Sequence, residues 1–293
     1  MNQYRFKRSF YEDPTLSQRL FNLLEIVFPE IEISRAAETG RKLGASWEGA
    51  STPFIRFHND VIITHVGVLE IPMQIMGQTV IAGGIHGVCT HPEFRRRGYY
   101  RQVMTEVLDY CANCYDTLVL TTAQPEFYQP FGFRVVSEHI FKTKLNFEGC
   151  TNRFRLLNTS DPHDVKLLHR LLETREPVSN IVGVLREKAL FFVHEGNRPL
   201  YYAEDLDLIV CMEIENTQLK LFDLVGTRIC NLTAILERIP QRIEEVITYF
   251  SPDRLGVDFQ AFSQVFDGDS LLMVRGSFAA EGEQFMLPRS ARC

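Results

Sequence analysis

Three arginines and a glycine, Arg95-Arg96-Arg97-Gly98, run directly into Tyr99, Tyr100 and Arg101. Before them lies an apolar run at residues 79–90. After them, apolar side chains recur at Tyr100, Val103, Met104, Val107, Leu108, Cys111 and Cys114. The first segment reads as a strand and the second as a helix with one stripe turned toward a sheet. A strand, a glycine-bearing turn and a helix in that order make a phosphate site. The first amides of a helix have no partner within it, and the helix dipole favours an anion in front of them. Gly98 has no Cβ, so a pyrophosphate can approach the backbone there, and the arginines add charge and forked donors. Taken alone, the same residues also fit a basic, solvated surface turn.

A second motif decides between these readings. Arg95-Arg96-Arg97-Gly98-Tyr99-Tyr100 resembles the R/Q-x-x-G-x-G/A signature of the GNAT superfamily of acyl-coenzyme A-dependent N-acyltransferases, departing from it at Tyr100. It is similar in particular to the Eis-like branch, whose loop reads R-R-x-G, two larger residues and Arg, as Arg96 to Arg101 do. Tyr128-Gln129-Pro130-Phe131-Gly132-Phe133 resembles the family's fifth-strand element Y-x-x-x-G-F, and it follows the apolar strand at 117–122.

The resemblance implies acetyl-coenzyme A as acyl donor, with no metal. Backbone amides of Arg96, Arg97, Gly98, Tyr99, Tyr100 and Arg101 would hold the pyrophosphate. Val88, Cys89 and Thr90 would pair with the pantetheine arm, one of their amides facing the thioester oxygen as the oxyanion donor. Tyr128 is the candidate general acid: a phenol with a pKa near ~10 is protonated at pH 7 and can serve a departing thiolate. Its other reading is a ring packed at a strand end. For the base there are two candidates. His86, by strand alternation, shares a face with Val88 and Thr90 and titrates in a suitable range, although a packed or water-bridged histidine fits as well. In the Eis-like branch a terminal carboxylate enters the site, which points to Cys293. That branch also has a third, sterol-carrier-like domain, for which this chain is too short.

From residue 54 to 90 the pattern predicts an antiparallel meander with turns at Asn59-Asp60 and near Gly77, followed by the crossover helix and further strands at 117–122 and 139–145. A helix is expected after Asp13-Pro14, while residues 32–52 show no clear period. Past Gly149 the chain begins again. Asp13-Pro14, Leu20, Leu23, Leu24 and Glu25 return as Asp161-Pro162, Leu168, Leu171, Leu172 and Glu173, all at an offset of 148. The expected fold class is therefore α/β, with two GNAT-like sandwich domains in tandem, each a mixed, mostly antiparallel sheet flanked by helices. Residues 1–149 would bind acetyl-coenzyme A. Residues 150–293 would be a degenerate copy, because Gly226-Thr227-Arg228 after its strand at 219–225 has no R-x-x-G pattern.

Composition narrows the function. A formal net charge of −6 disfavours nucleic acid or an anionic membrane as partner and suits a cationic amine. The amino-terminal MNQYRFKRSF has no long apolar run, and no stretch approaches the ~20 apolar residues of a membrane span, so the expectation is cytoplasmic. Seven cysteines, an odd number, read as reduced thiols. The leading reading is an N-acetyltransferase acting on a small-molecule primary amine or a protein lysine, compatible with a homo-oligomer. The alternatives are a non-catalytic coenzyme A-binding sensor and a tandem-GNAT aminoacyltransferase, which would need a broad basic surface.

Overall fold

The computed structural model describes residues 4–266, 268 and 270–293. Three helices open the chain: α1 (Leu16–Val27), α2 (Ile33–Lys42) and α3 (Trp47–Ala50). The meander follows as β1 (Ser51–His58), β2 (Val61–Ile75) and β3 (Gln78–Thr90). Its turns at Asn59-Asp60 and Met76-Gly77 place all four residues at positive φ, the tight hairpin geometry whose twist matches that of the strands. Helix α4 (Tyr99–Cys111) then crosses to β4 (Thr117–Thr122), which runs parallel to β3, and β5 (Arg134–Val135) closes this part. The helix ends at Cys111, so Cys111 is buried as its stripe requires but Cys114, one turn on, is exposed.

The second half comprises β6 (His139–Phe147), β7 (Arg155–Leu156), α5 (Pro162–Thr174), β8 (Val182–Val184), α6 (Ala189–Glu195), β9 (Tyr201–Ala203), β10 (Leu208–Glu215), β11 (Gln218–Gly226), α7 (Leu232–Leu236), β12 (Ile243–Thr248), β13 (Gln260–Ser263) and β14 (Leu271–Gly276). The repeated helices are α1 and α5. Asp161 caps α5 by accepting the His163 amide at 2.9 Å. Asp13 instead holds the amide and hydroxyl of Thr15, and α1 starts two residues past Pro14.

Two mixed sheets result, each mostly antiparallel with helices packed on it. The first has the order β1-β2-β3-β4-β14-β5, with β8 paired to the far end of β2; the second has the order β13-β6-β12-β11-β10-β9-β7. They are built alike. In both, one parallel pair (β3 with β4, β11 with β12) is followed by an antiparallel strand and a short edge strand. The antiparallel strand is exchanged between halves: β6 lies in the second sheet and β14 in the first. The expected boundary at 149/150 is thus crossed in both directions, because hydrophobic pattern identifies a strand without naming its partner.

Residues 285–292 are buried and run between the halves. Arg289 pairs with Glu195 at 2.6 Å and Arg292 with Glu138 at 2.6 Å, while Ser290 donates to Asp223, which also holds Arg175. Leu287 and Ala291 pack in the apolar cluster on the inner face of the first sheet with Ile71, Val119 and Leu190.

Candidate active site

The glycine loop is open. Gly98 takes the left-handed conformation at φ +75° and caps α4; nothing lies within 4 Å of where its Cβ would be. Arg96 is also left-handed, at φ +62°. The first intrahelical bond runs from the Gln102 amide to the Gly98 carbonyl, which leaves the Tyr99, Tyr100 and Arg101 amides free of helical partners. Arg95 and Arg97 fold back, Arg95 Nε donating to the Thr90 carbonyl and Arg97 to that of Glu93. Tyr100, where the signature has a small residue, does not close the loop. Its ring turns to the other side, against Tyr128 and Phe131, and its hydroxyl donates to the Phe127 carbonyl at 3.1 Å. Tyr99 lies under the Arg56 guanidinium, 4.1 Å from the ring centre. The loop backbone fits a pyrophosphate: the free amides at the start of α4 open onto a surface where a Cβ at Gly98 would meet only space.

Beside this loop the sheet opens. Strand β3 pairs with β4 only from Ala82–Thr117 to Gly84–Val119 and then runs on to Thr90 alone. Within this free stretch the register against β2 shifts, so that Gly87 and Val88 together oppose Val66. Gly87, at φ +58°, makes the bulge possible. The bulge corrects one expectation. Val88 packs with Ile85, Val103 and Met104 under α4, whereas Cys89 packs with Leu20 and Leu24 under α1. His86 lies on the Cys89 side, its ring edge-on to Trp47 at 5.3 Å. Simple alternation had placed it with Val88 and Thr90; the extra residue reverses the face.

His86 is buried and its Nε2 is 2.9 Å from the Ser51 hydroxyl. Its ring lies flat over Gly67, where a Cβ would come within 2.4 Å. Burial, and then the neighbouring His65, push its pKa down to about 3. Such an imidazole is neutral and a weak base. His65 is also buried; its Nδ1–H donates to the Gly87 carbonyl at 2.7 Å and fixes the bulge, and burial takes its pKa down to about 4. Both histidines lose protonation on folding, so stability should fall as pH drops below the unfolded value near 6.5 and continue falling toward pH 4. The expected slope is up to about 1.4 kcal/mol per pH unit for each histidine. Urea midpoints at pH 7, 6 and 5 check this, with a shallower dependence in His86→Asn. A flat profile would contradict the buried, neutral pair.

Tyr128 is buried with the α4-side cluster, its ring edge-on to Phe133 and Tyr100. Burial, partly offset by the Thr122 side chain, raises its pKa to about 12, and the thiols of Cys89 and Cys293 are close enough to act in the same direction. Cys293 is brought to the point where β3 and β4 part. Its main-chain oxygen accepts from the Thr121 amide at 2.9 Å and hydroxyl at 2.7 Å, and its Sγ donates to the Val119 carbonyl at 3.7 Å. The sulfur occupies the space over Gly84, 3.0 Å from where that residue's Cβ would be. The structure thus brings the glycine loop, the free edge of β3 and Tyr128 together on the α4 side, while the Cys293 sulfur and His86 lie on the other face of β3.

Residues 17–136 match the family model described as "Acetyltransferase (GNAT) domain". Over that stretch the chain is similar to GNAT acetyltransferase domains. The match stops at residue 136, where the chain leaves the first sheet for the second. Structural similarity extends further than sequence similarity. A probable N-acyltransferase of unknown function from Enterococcus faecalis V583 superposes with a TM-score of 0.61 at 15% identity, over 92% of this chain and 71% of that one. Eis1 from Mycobacterium abscessus gives 0.57 at 15% identity, over 94% and 74%. A GCN5-related N-acetyltransferase from Anabaena variabilis gives 0.55 at 17%, over 90% and 70%. At these identities the likeness is one of fold, and it takes in both sheets. A comparison with curated proteins gives no match.

Proposed function

We propose that this chain is an acetyl-coenzyme A-dependent N-acetyltransferase that moves the acetyl group directly to a primary amine. One observation carries the reading: the gap between β3 and β4 is bordered by an open amide-lined glycine loop at one side and by a buried phenol beside Thr122, at the end of β4. The thioester supplies an activated acyl group; the chain's own residues hold it and manage protons. Amides of residues 96–101 bind the pyrophosphate. The free edge of Val88, Cys89 and Thr90 pairs with the pantetheine arm as an added strand would, and one of its amides faces the thioester oxygen. Tyr128 stays protonated across the physiological range and gives its proton to the leaving thiolate. The seven free thiols suit a reducing, cytoplasmic setting, and no helix among the described residues is long and apolar enough to cross a membrane.

Calorimetric titration with acetyl-coenzyme A tests the reading, comparing the wild type with Gly98→Trp. The indole would project from an open position into the phosphate cradle. Affinity should weaken by about 30-fold or more, equivalent to ~2 kcal/mol. Equal binding by both proteins, or none by the wild type, would remove the glycine loop from the mechanism.

A further inference from the structure

Five acidic side chains are buried among the described residues: Glu138, Asp164, Glu187, Glu195 and Asp223. Four are matched by arginines, Glu138 by Arg292, Asp164 by Arg155, Glu195 by Arg289 and Asp223 by Arg175. Glu187 has no such partner among the described residues. Its carboxylate oxygens accept the amides of Leu190 at 3.0 Å and Phe191 at 3.1 Å, bonds that fix its position without supplying a full positive charge. Arg175, which acts on it from a distance, is already engaged by Asp223. A buried carboxylate without a cation is costly, and burial raises its pKa to about 7.

The position of Glu187 gives that cost a use. After β8 the Leu185 amide donates to the Pro72 carbonyl at 2.9 Å, keeping the chain on β2, and Glu187 lies two residues before α6. Helix α6 packs on α3 and on residues 289–291, and its Leu190 shares an apolar cluster with Ile71, Val119 and the Cys293 side chain. Cys293 lies in the gap between β3 and β4, and its thiol feels the Glu187 carboxylate as its second largest influence after burial. His86 follows two residues after Gly84 on the same face of β3.

We propose that Glu187 is the acceptor-site carboxylate, receiving the ammonium group of the acceptor as its missing ion-pair partner and taking one proton from it. The acceptor class is a cationic primary amine. This rests on the acyltransferase reading above. Transfer of that proton leaves a neutral amine, whose lone pair attacks the thioester carbon. The N–C bond forms and the C–S bond breaks, and Tyr128 protonates the sulfur. The nitrogen loses a second proton, which balances the one Tyr128 gave up, while the proton on Glu187 passes to solvent. The other titratable groups of the proposed site do not titrate near neutrality. The Cys293 thiol and Tyr128 are pushed up to about 12, and His86 and His65 are pushed down to about 3 and 4. His194, at the far end of α6, is held below its usual range by burial, Arg175, Arg289 and Arg292 are paired, and any main-chain carboxylate at Cys293 is a like charge.

Acetyl transfer from acetyl-coenzyme A to spermidine, tobramycin and lysine methyl ester is measured from pH 5 to 9 for the wild type, Glu187→Gln and Glu187→Asp, with calorimetry of acetyl-coenzyme A binding alongside. The wild type should show a limb in kcat/KM for the amine inflecting near pH 7. Glu187→Gln should bind acetyl-coenzyme A as the wild type does, lose about 100-fold or more in kcat/KM for the amine, and lose that limb. Glu187→Asp, which keeps the charge, should restore part of the rate and the limb. Unchanged amine kinetics in Glu187→Gln, or a wild type with no limb between pH 6 and 8, overturns the assignment even if one variant fails to fold. A wild type that binds acetyl-coenzyme A but acetylates none of the three amines overturns the cationic acceptor. A wild type that does not bind acetyl-coenzyme A overturns the acyltransferase reading, and this assignment with it.

Discussion

Tyr128→Phe is expected to lower kcat by about 10²-fold or more while leaving the dissociation constant for acetyl-coenzyme A within a factor of about three. The two effects separate because the groups lie in different places. Affinity is assigned to the amides of residues 96–101, which the change does not touch. The ring of Tyr128 fills the cluster with Phe133 and Tyr100, and phenylalanine keeps that ring, so the fold is retained. Only the proton donor is lost, and a positioned general acid contributes typically 10²–10⁴-fold. Burial raises the tyrosine to about 12, so the acidic form persists well past pH 9 and the wild-type rate should show no alkaline loss there. Steady-state rates and calorimetry on the same preparation check both numbers. A variant retaining full activity would make Tyr128 a packing residue.

The residues that carry the glycine loop were legible because their requirements are local. A helix start, a left-handed glycine and a cluster of guanidinium groups are all encoded within a few positions. Tyr100 was legible as a departure, but not in its outcome. Its ring is accommodated by Phe127, Tyr128 and Phe131, which are close only after the chain has folded. The face of His86 was misread for a related reason: alternation holds only until a bulge intervenes, and Gly87 in a run of apolar residues and glycines gives no separate sign of one. Helix α2 left little pattern because it buries only Ala37 and Gly40. Glu187 could not be singled out at all. What distinguishes it from the other buried acids is the lack of an arginine partner, and pairing across long sequence separations has no local signature.

Strand exchange has a large consequence for how the chain holds together. The fragment 1–149, although it contains the whole glycine loop and Tyr128, is expected not to fold by itself. Without β14 the edge of β4 loses its antiparallel partner from Thr117 to Thr122, and β5, which pairs with β14, loses its place in the sheet. Strand β6 would hang free, since both of its partners, β12 and β13, lie beyond residue 149. Two apolar sheet edges would then be open to aggregation. The inner face of the first sheet would lose Leu190, Phe285, Leu287 and Ala291 from its cluster, and Glu138 would lose Arg292. Removing one partner from a buried ion pair costs about 3–5 kcal/mol, a large share of the ~5–15 kcal/mol that stabilises a typical domain. Circular dichroism and proton NMR of the fragment, beside a calorimetric scan of the full chain, test this. The fragment should lack dispersed amide signals, and the full chain should unfold in a single transition, because neither sheet is complete until the other half has supplied its strand. A soluble, folded fragment 1–149 that binds acetyl-coenzyme A would show that β14 is dispensable and that the exchange contributes little to stability.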